Sequence, residues 1–281
     1  MMKDNIIEIC NLKKKYDGFE LNIPKLYIGK GQCIGLIGEN GAGKSTLIKL
    51  ILQLIGKDSG EILIFGDTIV SKQTKKEISV VFDTNNYNGN LTINELNIIL
   101  NRIFGRKWDE KKYFNQVMAN GLPREKKIDT FSLGMKAKLN IIIAFSHNPR
   151  ILILDEATSN LDPVVRIEIN NIIKQYIRDT GCTVVFSSHI VNELEEIADR
   201  LLFLRKGKIA LDTTPYRLRN NYRLIKIKDK KLLSDDMLAV ERNEGYYLCL
   251  TDNIKDKHET EIVKQGVSTG EVLYYLAKGV L

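Results

Sequence analysis

The nine residues from Gly38 to Thr46, GENGAGKST, constrain this chain more than any other stretch. They fit G-x-x-x-x-G-K-[ST] over residues 38–45 and come directly after the apolar run CIGLI. A short apolar run bounded by turn residues reads as a strand buried on both faces of a parallel sheet. Beyond the loop, Leu47, Leu50, Ile51 and Leu54 recur at helical spacing, so residues 34–55 read as strand, glycine-rich loop and helix. Glycines let successive backbone N–H groups converge on an anion without Cβ clashes, and the helix adds its positive end. Lys44 then supplies a cation for the β- and γ-phosphates of a nucleoside triphosphate. Ser45 offers a hydroxyl to Mg²⁺, and Thr46 a further hydroxyl near the α- and β-phosphates.

A second piece, ILILDEAT, ends a buried strand on Asp155 and Glu156. Asp155 suits a Mg²⁺ ligand acting through water. Glu156, one residue further, suits a carboxylate that orients or deprotonates an attacking water. Such an acidic pair is also an ordinary turn; the phosphate loop upstream favours the chemical reading.

Strands alternate with helices between these motifs and beyond them, through DPVVRIEINNIIKQYIRD, CTVVFSSH and IVNELEEIADR. That alternation predicts an α/β, doubly wound core with a parallel sheet. NIIEICNLKKKY and FELNIPKLYIGKG read as loosely alternating strands, an antiparallel β subdomain. SGEILIFGDTI reads as a strand pair turning at Gly66 and Asp67. Residues of about 84–145 turn helical, opened by the capping-box pair Thr92 and Glu95, and read as an insertion. From Pro215 the text becomes a small α+β appendage. It has strands in YRLIKIK, MLAVER and YYLCL and a helix in STGEVLYYLAKG, capped by Ser268 and Glu271. The domain expectation is residues 1–214 and 215–281.

The chain has 281 residues, 43% hydrophobic and 27% charged, a composition that supports a buried core. Its charge of +7 fits an anionic partner and fits equally a Lys-, Asn- and Ile-rich background. The four cysteines, Cys10, Cys33, Cys182 and Cys249, lack metal-ligand spacing and read as reduced thiols of a cytosolic protein. The N-terminus lacks the apolar core of a signal peptide, and no stretch approaches the ~20 apolar residues of a membrane span.

Three further segments narrow the class: DTFSLGMKAKLNIIIAF before the acidic strand, SNLDP directly after it, and His189 closing VVFSSH. Their order and spacing over roughly residues 4–212 resemble the ATP-binding subunit of an ABC transporter. The match is nearest to the subgroup that energises drug, peptide and bacteriocin exporters. The resemblance implies a P-loop NTPase core binding ATP and Mg²⁺. Residues 38–46 look like the Walker A loop, with Gly38, Asn40, Gly41, Gly43, Lys44, Ser45 and Thr46 at the nucleotide. Asp155 looks like the Walker B aspartate and Glu156 like the catalytic glutamate. In the signature FSLGM, Ser132 and Gly134 would reach an ATP held by another subunit. Ser159 to Asp162 resemble the D-loop, with Asp162 counted at the nucleotide, and His189 resembles the switch histidine. Tyr16 stands where the family stacks an aromatic ring on adenine. The sequence departs from the family twice. Asp83 replaces a Gln that contacts Mg²⁺ and water; it can still coordinate Mg²⁺ but cannot donate while ionised. Leu133 replaces the signature's first glycine.

The implied function is an ATP hydrolase that drives a membrane transporter, expected to be an exporter of a peptide, antibiotic or similar compound. Lys44, Glu156 and His189 would be catalytic, and Ser45, Asp83 and Asp155 would hold the metal. The implied partners are an integral membrane permease and a second ATP-binding subunit, with the chain peripheral on the cytoplasmic face of the membrane. A soluble ABC-class ATPase acting on nucleic acid or ribosomes is the alternative. The coiled coils, zinc modules and tandem ATPase units usual there are not visible, although RLRNNYRLIKIKDKK is basic. A non-hydrolysing regulator fits less well with Glu156 and His189 both present.

Overall fold

The computed structural model describes residues 5–69, 71–82, 88–233, 237–252 and 260–278. Strand β1 (Asn5–Tyr16) pairs antiparallel with β2 (Phe19–Gly29), and its other edge pairs with β4 (Ser59–Ile64). Between them in the chain, β3 (Cys33–Ile37) leads through the glycine-rich loop into α1 (Lys44–Ile51), the order expected of a phosphate loop. The strand pair expected around Gly66 is one strand and a single bridge. Ile64 and Asp67 exchange both backbone bonds across a turn with Phe65 and Gly66 at φ 56° and 87°. Ile69 beyond it is exposed and has no core face to join.

The second sheet has six strands. A short α2 (Lys72–Lys75) precedes β5 (Ile78–Phe82), and the order is β5, β6 (Ile151–Asp155), β7 (Thr183–Ser187), β3, β8 (Arg200–Arg205), β9 (Lys208–Thr213). The first five are parallel and β9 is antiparallel. All five residues of β3, of β6 and of β7 are buried, because helices cover one face and α1 with the antiparallel sheet covers the other. That is why these strands read as uninterrupted apolar runs. The C-terminal ends of β3, β6 and β7 lie side by side and carry the loop, Asp155 and Ser187 in adjacent positions.

The helical block contains α3 (Ile93–Phe104), α4 (Glu110–Ala119) and α5 (Leu133–Ser146). The Thr92–Glu95 capping box forms in full, fixing the start of α3. Leu96, Trp108, Tyr113, Val117 and Leu139 belong to a separate apolar cluster, in which the Trp108 Nε1–H donates to Asn97 at 2.8 Å. Helix α6 (Pro163–Thr180) starts on Pro163 as expected, and α7 (Val191–Ile197) begins two residues after His189.

Beyond β9 come α8 (Pro215–Asn220), β10 (Arg223–Ile227), β11 (Ala239–Asn243), β12 (Tyr246–Thr251), β13 (Thr260–Gln265) and α9 (Thr269–Lys278). The strands form one antiparallel sheet in the order β11, β12, β10, β13. Sequence reasoning did not find α8 or β13. Ser268 and Glu271 cap α9 reciprocally. Leu218, Leu250, Val272 and Leu276 from this segment share an apolar cluster with Leu194 and Phe203 of the parallel-sheet layer. Glu195 on α7 also accepts the Thr269 N–H at 2.6 Å.

One turn of the six-stranded sheet ties the antiparallel sheet to the phosphate loop. Gly207, between β8 and β9, accepts from the Asn22 N–H at 2.7 Å and donates to the Ala42 carbonyl at 3.0 Å. Its φ of 75° is left-handed, and a Cβ there would collide with the Glu20 carbonyl. Gly207→Ala should therefore lower unfolding free energy by about 2–4 kcal/mol. Chemical denaturation checks this; an unchanged midpoint would contradict it.

Candidate functional site

The loop from Gly38 to Thr46 bends through Gly41 and Gly43, at φ 81° and 108°. A Cβ on Gly43 would meet Leu21 Cδ1 at 2.9 Å and Phe19 Cζ at 3.0 Å, so glycine lets the loop lie directly on β2. Gly43 is also the N-cap of α1, and no side chain caps that helix among the described residues. By contrast α3, α5, α6 and α8 each have a capping side chain. The first-turn amides of α1 are thus left for an anion. Lys44 is only 6% exposed, and its Nζ donates to the Gly38 carbonyl at 2.7 Å and the Glu39 carbonyl at 3.4 Å. The ammonium lies inside the curve of its own loop.

Asp155 ends β6 and is buried. Its Oδ1 accepts from Ser187 Oγ at 2.6 Å and from Ser45 Oγ at 3.4 Å. Ser187, at the end of β7, thereby orients the carboxylate toward the first turn of α1. Glu156 follows at φ 54°, a left-handed conformation costing about 1–3 kcal/mol in a non-glycine residue. Its backbone N–H donates to the Ser187 carbonyl at 3.1 Å, which holds that conformation in place. The turn aims the two consecutive carboxylates differently: Asp155 toward Ser45, and Glu156 toward Lys44, with Oε1 3.6 Å from Nζ.

Glu156 Oε2 accepts from Ser159 Oγ, from His189 Nδ1 at 2.8 Å and from the His189 backbone N–H at 3.4 Å. Burial pushes this carboxyl up, but hydrogen bonds from Ser159 and His189, with the charge of Lys44, outweigh it and hold the group below its ordinary range. A buried hub lies behind. Glu193 on α7 accepts from Thr158 Oγ1 at 2.9 Å and Ser188 Oγ at 3.2 Å, and its Oε1 is 3.1 Å from Arg166 Nε on α6. Glu193 links the segments after β6 and β7 and so fixes Glu156 and His189 relative to each other.

These groups open onto a cleft of about 810 Å³. Tyr16, Phe19, most of the loop from Gly38 to Thr46, Glu156, Ser159, Asn160, His189 and Leu273 line it. Of the residues expected from sequence, Tyr16, Gly38, Asn40, Gly41, Gly43, Lys44, Ser45, Thr46, Glu156 and His189 meet there, with Asp155 reaching Ser45 from behind. Ser132, Gly134 and Asp162 do not line it. Ser132 is the N-cap of α5, accepting the Met135 N–H at 3.2 Å. Asp162 caps α6, accepting from Val164 and Val165 at 3.1 Å each. Gly134 packs so closely on Val165 that a Cβ would meet Cγ1 at 2.9 Å. Asp83 lies outside the described residues. Sequence reasoning missed Ser187 and Glu193, which act on the site through other residues, and did not place Phe19, Asn160 or Leu273 at the cleft. Asn160 lies within the quoted SNLDP and Phe19 three positions after Tyr16; no signal pointed to Leu273.

The residues fit a nucleoside triphosphate with a hard divalent cation. The Cβ-free curve at Gly41 and Gly43, the uncapped amides and Lys44 match a phosphate chain. The hydroxyl and carboxylate of Ser45 and Asp155 are oxygen donors of the kind Mg²⁺ takes beside phosphates. Among the described residues no cluster of three or more His, Cys, Asp or Glu is arranged around a metal.

The sequence profile described as "ABC transporter" matches residues 21–159. The bacitracin transport ATP-binding protein BcrA of Bacillus licheniformis is 32% identical over 271 residues, covering 93% of this chain and 83% of its own. The lantibiotic transport ATP-binding protein SrtF of Streptococcus pyogenes is 34% identical over 208 residues, covering 74% of this chain and 90% of its own. Among solved structures, cbiO1 from Clostridium perfringens, part of the ABC transporter complex cbiONQ, superposes with a TM-score of 0.66 at 23% identity. It covers 76% of this chain and 90% of its own.

A carboxyl held below its ordinary value of 4.5 stabilises the fold above that pH, and the contribution is lost as pH falls through the lowered value. His189→Ala removes two of the influences that lower it and leaves the burial. The Glu156 carboxyl should therefore titrate at higher pH in His189→Ala than in the parent, as followed by carboxyl ¹³C NMR. An unchanged or lower titration point would contradict the geometry.

Proposed function

The chain belongs to the ABC transporter family of ATP-binding subunits, and on that premise we propose that it powers an exporter of a peptide, antibiotic or similar compound. ATP binding and hydrolysis come with the family; bacitracin and lantibiotic transport subunits among the relatives support the exporter reading. One observation carries the site assignment: a single cleft gathers Lys44, Ser45 and Glu156 with His189, and Asp155 meets Ser45 from behind it.

In this reading Lys44 leaves the carbonyls of Gly38 and Glu39 for the β- and γ-phosphates. The loop amides and the first turn of α1 hold the phosphate chain, and Tyr16 packs on the base. Ser45 and Asp155 would hold Mg²⁺, which would neutralise charge on the phosphates. Glu156, ionised at neutral pH, orients a water for in-line attack and accepts its proton. His189 keeps Nδ1 on Glu156 and turns Nε2 to the γ-phosphate, stabilising charge with Lys44.

Ser132, Gly134 and Asp162 act in this scheme on an ATP held by a second ATP-binding subunit, closing head to tail. Their surroundings support a face that becomes covered: Leu133, Val164 and Ile167 are 55%, 67% and 61% exposed beside them. On the helical block, Ile98, Ile99 and Ile103 of α3 are exposed too and suit the permease contact. Among the described residues no helix is long and apolar enough to cross a membrane. In this reading the chain works as a peripheral subunit on the cytoplasmic face, with residues 1–214 as the ATPase unit and 215–281 as an accessory unit.

Glu156→Gln keeps the side chain's shape and removes the base. It should retain ATP binding, measured by equilibrium titration, and lower turnover by about 100-fold or more. Near-normal phosphate release would overturn the role of Glu156.

A further inference from the structure

The apolar lining of the nucleotide cleft comes from two distant parts of the chain. Tyr16 and Phe19 flank the β1–β2 turn, with ring centroids 6.4 Å apart. Leu273 belongs to α9, more than 250 positions further on, and lines the same cleft. A neighbouring cavity of about 400 Å³ is lined by Phe19, Glu39, Asn40 and Gly41 on one side and by Leu273, Leu276 and Ala277 on the other. Leu273 and Phe19 thus border both spaces, and α9 stands across the outer side of the phosphate loop.

Helix α9 is fixed there by the ATPase layers themselves. Val272 and Leu276 bury their side chains in the apolar cluster that contains Leu194 and Phe203. Glu195, on the helix that follows His189, accepts the Thr269 N–H at 2.6 Å and is 3.3 Å from Arg219. Burial raises the Glu195 carboxyl, and these partners outweigh it, keeping it charged at the start of α9. Leu273 is therefore presented on a rigid element.

We propose that Leu273 is a nucleotide-contacting residue, supplied by the C-terminal segment to complete with Tyr16 and Phe19 the apolar subsite for the base and ribose of ATP. The proposal rests on ATP occupying this cleft as set out above. The chemistry distinguishes the two ends of the ligand. The phosphate chain takes the loop amides, Lys44 and Ser45; the nucleoside is the part with apolar surface to bury, and Tyr16, Phe19 and Leu273 are the side chains suited to bury it. A wall already held in place costs little ordering on binding. The C-terminal segment thereby gains a direct dependence on whether nucleotide is bound.

The test is equilibrium binding of ATP and of inorganic tripolyphosphate, each with Mg²⁺, to the full chain and to Leu273→Ala. Truncation should weaken ATP about three- to tenfold and leave tripolyphosphate unchanged. Leu273→Gln keeps the length of the side chain and should show the same selective loss. Leu273→Met, still apolar, should bind ATP like the parent. Unchanged ATP affinity in Leu273→Ala overturns the proposal. So does an equal loss for both ligands, which would mean that α9 acts by shaping the phosphate loop. If the unaltered chain binds tripolyphosphate but gains nothing from the nucleoside, the base subsite falls while the phosphate site stands. If it binds neither, the ATP reading itself falls.

Discussion

The structure turns on a buried ammonium. Lys44 is almost wholly enclosed, and its charge rests on two loop carbonyls with one carboxylate oxygen, from Glu156, 3.6 Å away. Carbonyls cancel a cation's lost hydration only in part, so a buried charge of this kind favours an anionic ligand. Everything around the lysine preserves that geometry. β3 delivers the loop from the sheet interior, Gly43 lets it lie on Phe19 and Leu21, and Gly207 ties Ala42 to the β8–β9 turn. The adjacent strands β6 and β7 then bring Asp155 and Ser187 level with the same loop.

From that centre the acidic end follows. One left-handed residue, Glu156, separates two neighbouring carboxylates into two tasks, one facing Ser45 and one facing Lys44 and His189. Glu156, Ser159 and His189 hydrogen-bond to one another, so the groups assigned to water activation and γ-phosphate contact are held together by their own contacts. The signature and D-loop residues cap helices elsewhere on the same subunit, on a surface with exposed Leu133, Val164 and Ile167. In the reading proposed above, the signature residues, which do not line this chain's own cleft, complete the site of a second chain. Energy from binding can then be spent on closure.

Much of this was legible in the sequence, because the deciding features are local. A five-residue apolar run followed by glycines and Lys-Ser-Thr specifies strand, loop and helix without reference to the rest of the chain. The Thr92 and Ser268 capping boxes and Pro163 at the start of α6 are equally local and formed as read. What escaped depends on neighbours. β13 places Ile262 and Val263 consecutively and both are exposed, so it lacks the period-two signal of a half-buried strand. α8 has six residues, too few for a periodic pattern. Ser187 and Glu193 matter through what they orient, and Leu273 through a helix packed back against the loop; none of these carries a motif.

The central claim is that each active site is shared between two subunits. It is tested most directly by mixing two variants that are each inactive alone, Lys44→Ala and Ser132→Arg, and measuring ATP turnover of the mixture. In a mixed dimer one site carries both lesions. The other pairs the intact phosphate loop of the Ser132→Arg subunit with the intact signature of the Lys44→Ala subunit. The account predicts that turnover reappears on mixing. Mixed dimers that form but stay as inactive as the separate variants would contradict it.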